Sequence, residues 1–333
     1  MRGRDSMFRE EEVFNSEKDI KYYFQKSFKK SSNLIIVFSA FSPVGKPPKY
    51  NYVNTLEGFD CNKLFILDDF GPRATYYLCE NRDFTIERSI INLIRYIMKK
   101  NDIKTIMSCG SSKGGYAALY YGIKYGFEHV IVASPQYYVG DYLLVQTNSH
   151  KSAKFMSGSD TDDDRLFLNQ IMKEMIIESI HKPNIFIHLG KGEWHYNKHV
   201  KPLLNQLDER NIGYQLDLGD YSNHNEVIKY YPQLIKSKVR EIYHYPLLEM
   251  DRTTAGAMPL NSTFEFKVTT DSEENKIAWY LYYNGKRIDY KKYSSERTYN
   301  VNFSAKGKYY VKAFALNEKQ LKTSLKTKIV SVN

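Results

Sequence analysis

From Asn33 to about Arg240 the chain alternates short apolar, β-branched runs with longer segments of helical periodicity. That alternation is the pattern of a mostly parallel sheet covered by helices on both faces. The runs that predict strands are Leu34–Phe38, Lys63–Leu67, Thr105–Ser108, Val130–Ala133, Ile185–Leu189 and Tyr214–Leu218. Between them, Ile90, Ile91, Leu93, Ile94 and Ile97 line one side of a helix over Ile86–Lys99, and Arg165–Ile180 and His199–Glu209 follow the same spacing. A helix over Glu226–Tyr243 closes the pattern. Near Met250 the period changes from helical to alternating. Thr263–Val268, Ile277–Tyr283, Thr298–Phe303, Lys308–Phe314 and Lys328–Val332 read as strands with no helix among them, and Asn284-Gly285 is a hairpin signal. The expected organisation is an N-terminal extension over 1–32, an α/β domain over 33–245 and a small Ig-like β-sandwich over 255–333. An accessible, loosely packed junction is expected between about Tyr245 and Asn261.

The balance of 48 Lys+Arg against 38 Asp+Glu gives a net charge of +10, a general bias towards anionic partners. Lys29-Lys30, Lys99-Lys100 and Lys291-Lys292 are too short to mark a nucleic-acid site, and no nucleic-acid partner is expected. Cys61, Cys79 and Cys109 are odd in number and widely spaced, which suits neither a disulfide framework nor a zinc site and points to a reducing, cytoplasmic setting. Met1 to Ile20 is charged throughout, and no apolar run approaches the roughly 18 residues needed to cross a membrane. Neither a standard export signal nor a transmembrane segment is expected, which leaves peripheral membrane association open.

The candidate chemistry starts at Thr105-Ile106-Met107-Ser108-Cys109-Gly110-Ser111-Ser112-Lys113-Gly114-Gly115, which reads as strand, sharp turn and helix. Gly110-x-Ser112-x-Gly114 fits a nucleophile elbow, in which a strained serine presents its Oγ above the sheet. The glycines have a steric reason, because a Cβ two residues before or after the serine would block the approach of strand and helix. The helix N-terminus behind the serine favours an oxyanion. A P-loop is disfavoured, since Gly-x-x-x-x-Gly-Lys-[Ser/Thr] is absent here.

An activated serine needs a base and an orienting acid, which in this arrangement follow in the order Ser, Asp or Glu, His. Glu193 lies just beyond the strand Ile185–Leu189, and His224 beyond the strand Tyr214–Leu218 and directly before a helix. His195 and His199 are rival histidines, and Asp217 and Asp220 are rival acids. The oxyanion hole should come from the backbone N–H of Lys113 and a second donor at Ala40 or Phe41. The Lys113 side chain is expected to point outward. His195, Asp69 and Arg73 are candidate substrate contacts, the last two in the polar loop Asp68-Asp69-Phe70-Gly71-Pro72-Arg73. Asp68-Asp69 resembles a metal site only faintly, and neither a metal nor a bound cofactor is expected. Tyr280, Tyr282, Tyr283 and Tyr290 are the candidate surface of the β-module, for a sugar or for ordinary strand packing.

With Ser112, Glu193 and His224 in order, residues 33–240 resemble the serine α/β-hydrolase superfamily. Phe38-Ser39-Ala40-Phe41, Leu67-Asp68-Asp69-Phe70-Gly71, Gly110-Ser111-Ser112-Lys113-Gly114-Gly115 and Ala133-Ser134-Pro135-Gln136 look like its divergent branch in bacterial surface-glycan systems. That branch includes capsular polysaccharide biosynthesis proteins and the acetyltransferase-like component of the accessory Sec pathway. The resemblance implies an α/β-hydrolase-like fold and a serine acyltransferase or esterase acting on a surface polysaccharide or its precursor. It also implies an activated acyl donor such as acetyl-CoA as co-substrate, and other glycan-biosynthesis proteins as partners. Glu193 in place of the commoner aspartate is a departure that the superfamily admits. The alternatives are a non-catalytic glycan-assembly or secretion partner built on a hydrolase scaffold, and a small-molecule or peptide hydrolase.

Overall fold

The computed structural model describes residues 10–43, 45–250 and 256–333. They fall into two compact units, one built from residues up to 53 together with 61–235, the other from 54–60 together with 236–333. The strands of the first are β1 (Glu11–Phe14), β2 (Ile20–Gln25), β3 (Asn33–Phe38), β4 (Asn62–Ile66), β5 (Thr105–Ser111), β6 (His129–Ala133), β7 (Asn184–Gly190) and β8 (Tyr214–Gly219). They form one eight-stranded sheet in the order β1-β2-β4-β3-β5-β6-β7-β8. From β4 to β8 every pairing is parallel, whereas β2 runs antiparallel to β4 and β1 to β2.

The helices are α1 (Val53–Leu56), α2 (Thr85–Asn101), α3 (Lys113–Tyr125), α4 (Val139–Asp141), α5 (His150–Ser157), α6 (Asp162–Glu178), α7 (Lys201–Glu209) and α8 (Val227–Tyr243). β3 is apolar from Leu34 to Phe38 and every residue of β4 is buried, the pattern of strands covered on both faces. α3 ends on Gly126 at φ +70°, where the left-handed C-cap favours glycine. α6 starts with a reciprocal capping box between Thr161 and Asp164. Among the described residues no helix is long and apolar enough to cross a membrane.

Where described, the expected N-terminal extension is not separate. β1 and β2 complete the sheet because Ile20, Tyr22 and Tyr23 bury their side chains in the core while Lys21 stays outside. The compact units divide at 235/236, inside α8, rather than at the expected 245. Residues 251–255, within the expected junction, lie outside the described residues.

The second unit holds β9 (Glu249–Met250), β10 (Ala257–Met258), β11 (Thr263–Thr269), β12 (Lys276–Tyr283), β13 (Lys286–Ser294), β14 (Thr298–Asn302), β15 (Gly307–Leu316), β16 (Lys322–Lys326) and β17 (Val330–Val332). One sheet runs β10-β17-β15-β12-β13 with β16 also paired to β15, and the other β14-β11-β9. Phe266, Tyr299 and Val301 of the smaller sheet share a core with Trp279, Val311 and Ala313 of the larger, as in a sandwich. Asn284 and Gly285 take φ +46° and +83° between β12 and β13, the expected hairpin turn. Segment 54–60 belongs here because Gly58 O accepts the Ser324 N–H at 2.8 Å and Phe59 bridges Thr323.

The tyrosine cluster is only partly free. Tyr282 stacks on Tyr310 at 4.4 Å, Tyr283 packs on Tyr309 and Tyr280 on Phe314, while Tyr290 is exposed.

Candidate active site

Ser112 sits at the junction of β5 and α3 with φ +53° and ψ −122°, a backbone conformation that side-chain-bearing residues rarely adopt. The glycines make that junction feasible. A Cβ on Gly110 would stand 2.3 Å from Gly114 O, and one on Gly114 would stand 2.2 Å from Phe38 O. The Gly110 N–H donates to the Tyr231 hydroxyl at 2.9 Å, and Tyr231 in turn donates to Ile131 O, so α8 braces the turn.

The serine heads a hydrogen-bonded chain. Ser112 Oγ lies 3.1 Å from His224 Nε2, and His224 Nδ1 lies 2.7 Å from Glu193 Oε2. The other Glu193 oxygen accepts the Ser134 hydroxyl at 2.7 Å and the Gly190 N–H at 2.8 Å. Burial by itself would raise the Glu193 carboxyl, but the hydrogen bonds from His224, Gly190 and Ser134 outweigh it and hold the group below its ordinary value. Glu193 is therefore a carboxylate fixed on both edges, and His224 is held with Nε2 towards the serine.

The rival acids are occupied elsewhere. Asp217 pairs with His188 Nδ1 at 2.6 Å and Asp220 with Lys191 at 2.8 Å. His199 is buried, takes the Tyr137 N–H on Nδ1 and meets Gln146 Oε1 with Nε2. His195 lies 1% exposed beneath His224, their rings stacked at 4.0 Å and 18°. Burial, reinforced by His224 and His199, pushes His195 down to about 2, so it is a neutral supporting ring. The expected substrate contact at His195 thus becomes a packing contact, because almost none of the ring reaches solvent. Glu193, His195 and His224 bring three ligand-type atoms within 4.8 Å of one another, a geometry a metal ion could use. Both Glu193 oxygens are already committed to hydrogen bonds within the site.

Two further expectations change. Ala40 donates its N–H to Asn51 Oδ1 at 2.9 Å, which leaves Phe41 of the two expected donors beside Lys113. As the first residue of α3, Lys113 has no intrahelical acceptor for its own N–H. The Lys113 side chain points inward, 1% exposed, to an ion pair with Asp68 at 2.7 Å over the Tyr77 ring. Burial lowers its ammonium and Asp68 opposes that shift. Asp68 also accepts the Thr75 N–H and hydroxyl and the Tyr77 N–H, so it ties the turn after β4 to the elbow. Asp69 pairs with Lys21 at 2.6 Å, and Arg73 donates to Ser149 Oγ at 3.1 Å with its guanidinium over Phe41.

Sequence reasoning gave no role to Gln136, whose side-chain amide donates to Ser112 Oγ at 2.8 Å. Nor did it single out Tyr142, whose phenol is raised by burial and moderated by Arg73 and by the Ser112 hydroxyl beside it. Tyr142 also stacks with Trp194 at 6.3 Å. Gln136 lies just past the carboxyl end of β6, the sheet edge where α/β sites form, and that position was its readable signal.

Fold and elbow together are those of an α/β-hydrolase-like protein. In particular, the chain is similar to the capsule O-acetyltransferase of Neisseria meningitidis serogroup A, at 26% identity and TM-score 0.60 over 68% of this chain and 94% of that one. A variant of that enzyme in complex with CoA matches at 25% identity and TM-score 0.60, over 69% of this chain and 94% of that one. A fluorophosphonate-binding serine hydrolase of Staphylococcus aureus shares the fold at 13% identity and TM-score 0.53, covering 70% of this chain and 96% of that one. No protein-family model and no curated protein matches the sequence.

Proposed function

We propose that the chain is a serine acyltransferase that O-acetylates a bacterial surface or capsular polysaccharide or its precursor in the cytoplasm. The observation that carries the proposal is the continuous chain Ser112–His224–Glu193 on a strained, glycine-flanked turn. Similarity to a capsule O-acetyltransferase over most of that protein's length supports the glycan acceptor and the acetyl donor. Cys61, Cys79 and Cys109 are buried thiols, in keeping with a reducing compartment.

In this reading His224 Nε2 takes the Ser112 proton as Oγ attacks the carbonyl of an acetyl thioester. The developing oxyanion is held by the N–H groups of Lys113 and Phe41. The C–S bond then breaks, and the thiolate leaves with the proton from His224. A glycan hydroxyl next gives its proton to His224 and attacks the acetyl-serine ester, and Ser112 Oγ recovers the proton as the acetyl group departs. Glu193 stays ionised throughout and stabilises the imidazolium. With water in place of the glycan, the same steps make an esterase.

The test is intact mass spectrometry after exposure to acetyl-CoA, with and without an oligosaccharide acceptor. An acetyl group on Ser112 that is discharged by the acceptor supports the proposal. No acetyl-serine, together with acceptor acetylation that survives Ser112→Ala, overturns it.

A further inference from the structure

A cavity of about 710 Å³ opens beside the candidate site, between the loop after β3, the loop after β4 and the start of α5. Its wall has an unusual defect. Ser42, Arg73 and Ser152 line it, and Ser42 Oγ, Arg73 Nε and Ser152 Oγ are buried with no hydrogen-bond partner among the described residues. Ser152 is only 1% exposed. Unpartnered buried polar atoms are uncommon because each forfeits its hydration, and three on residues that line one cavity point to an absent acceptor.

The charge around them is one-sided. Lys46, Arg73 and Lys151 line the cavity, and none of the three has an ion pair among the described side chains. The one carboxylate lining it, Asp69, is neutralised by Lys21. The first turn of α5 adds the positive end of its dipole. Hydroxyl and guanidinium donors among unpaired cations are the chemistry that receives phosphate oxygens.

The cavity is joined to the nucleophile by aromatic rings. Arg73 lies 4.8 Å from the centre of the Phe41 ring, Phe41 stacks on Tyr142 at 6.4 Å, and Tyr142 stands beside Ser112. We infer that this cavity seats the phosphate groups of the acyl donor, a coenzyme A thioester, whose acyl end reaches Ser112 past Phe41 and Tyr142. The inference rests on the acyltransferase reading and adds to it where the donor is held.

The test is calorimetric titration of the full-length protein with coenzyme A and with pantetheine, which has the thiol arm but no phosphate. Wild type is expected to bind coenzyme A at least about tenfold more tightly than pantetheine, a preference that weakens with salt. The double variant Arg73→Ala/Lys151→Ala is expected to lose most of that preference. Its turnover of acetyl-CoA relative to p-nitrophenyl acetate should also fall by about tenfold or more. Equal binding of the two ligands by wild type, or an unchanged preference in the double variant, overturns the inference. So does retention of coenzyme A binding with loss of binding to a sugar phosphate, which would give the cavity to the acceptor. Fluorophosphonate labelling of Ser112 is measured alongside: failure of labelling in wild type sinks the acyltransferase reading itself, whereas labelling without a phosphate preference sinks only the inference.

Discussion

At the scale of single residues, the site divides into groups that move a proton and groups that hold them still. Ser112→Ala and His224→Ala are each expected to lower turnover by about 10⁴ or more, because each removes a member that the others cannot replace. His195→Ala is expected to cost much less, since that ring supports His224 without touching the serine; a loss as large as for His224→Ala in steady-state kinetics would make His195 the base. Glu193→Gln should cost less than losing the serine or histidine, because an amide can hold the imidazole but cannot stabilise the imidazolium. Unchanged kinetics in that variant would contradict the role of Glu193.

His195 also makes a stability prediction. Its folded-state value, about 2, lies far below that of an unfolded histidine, so the unfolded chain binds a proton that the folded chain refuses. That term adds nothing above the unfolded value and removes stability as the pH falls below it, by up to about 1.4 kcal/mol per pH unit. Denaturant unfolding of His195→Asn between pH 6 and pH 4 should therefore show a shallower loss than wild type. Parallel pH dependences would mean that His195 is protonated in the fold.

At the scale of elements, the elbow and its strand were legible because their constraints are local: a glycine on each side of the serine, an apolar strand before and a helix after. Lys113 was misread for the opposite reason. Its partner Asp68 is distant in sequence and arrives only through the packing of β4 beside β3, and a lone lysine at a helix start ordinarily faces water. Removing Asp68 would strand a buried ammonium, so Asp68→Ala is expected to cost about 3–5 kcal/mol in chemical denaturation. Lys113→Met should cost less, since Asp68 keeps the donors on Thr75 and Tyr77. A loss within about 0.5 kcal/mol for Asp68→Ala, the ordinary range of a surface change, would show that the pair does not hold the turn. β13 escaped notice because Lys286–Ser294 is charged at Lys286, Arg287, Asp289, Lys291 and Lys292 and alternates only briefly, at Ile288 and Tyr290. The short β1 gives too few positions for a period, and β16 buries only one residue.

At the scale of the whole molecule, the sequence pattern placed an α/β unit before a β unit but missed that 54–60 belongs with the latter. No local signal could reveal it, since the pairing of Gly58 with Ser324 spans most of the chain. A chain ending at Met250 is expected to retain fluorophosphonate labelling but to become cleavable by protease within 54–60, where Leu56 and Phe59 lose their cover. Full resistance of that segment would contradict the division into units.

The central claim is that Ser112 carries the acyl group, and peptide mass spectrometry of the protein quenched during turnover of acetyl-CoA tests it most directly. The account predicts an acetyl group on Ser112 in wild type, accumulation of that species when acceptor is withheld, and none in His224→Ala. Acetylation of the glycan at the wild-type rate by Ser112→Ala, with no acetyl-enzyme at any time, would contradict it.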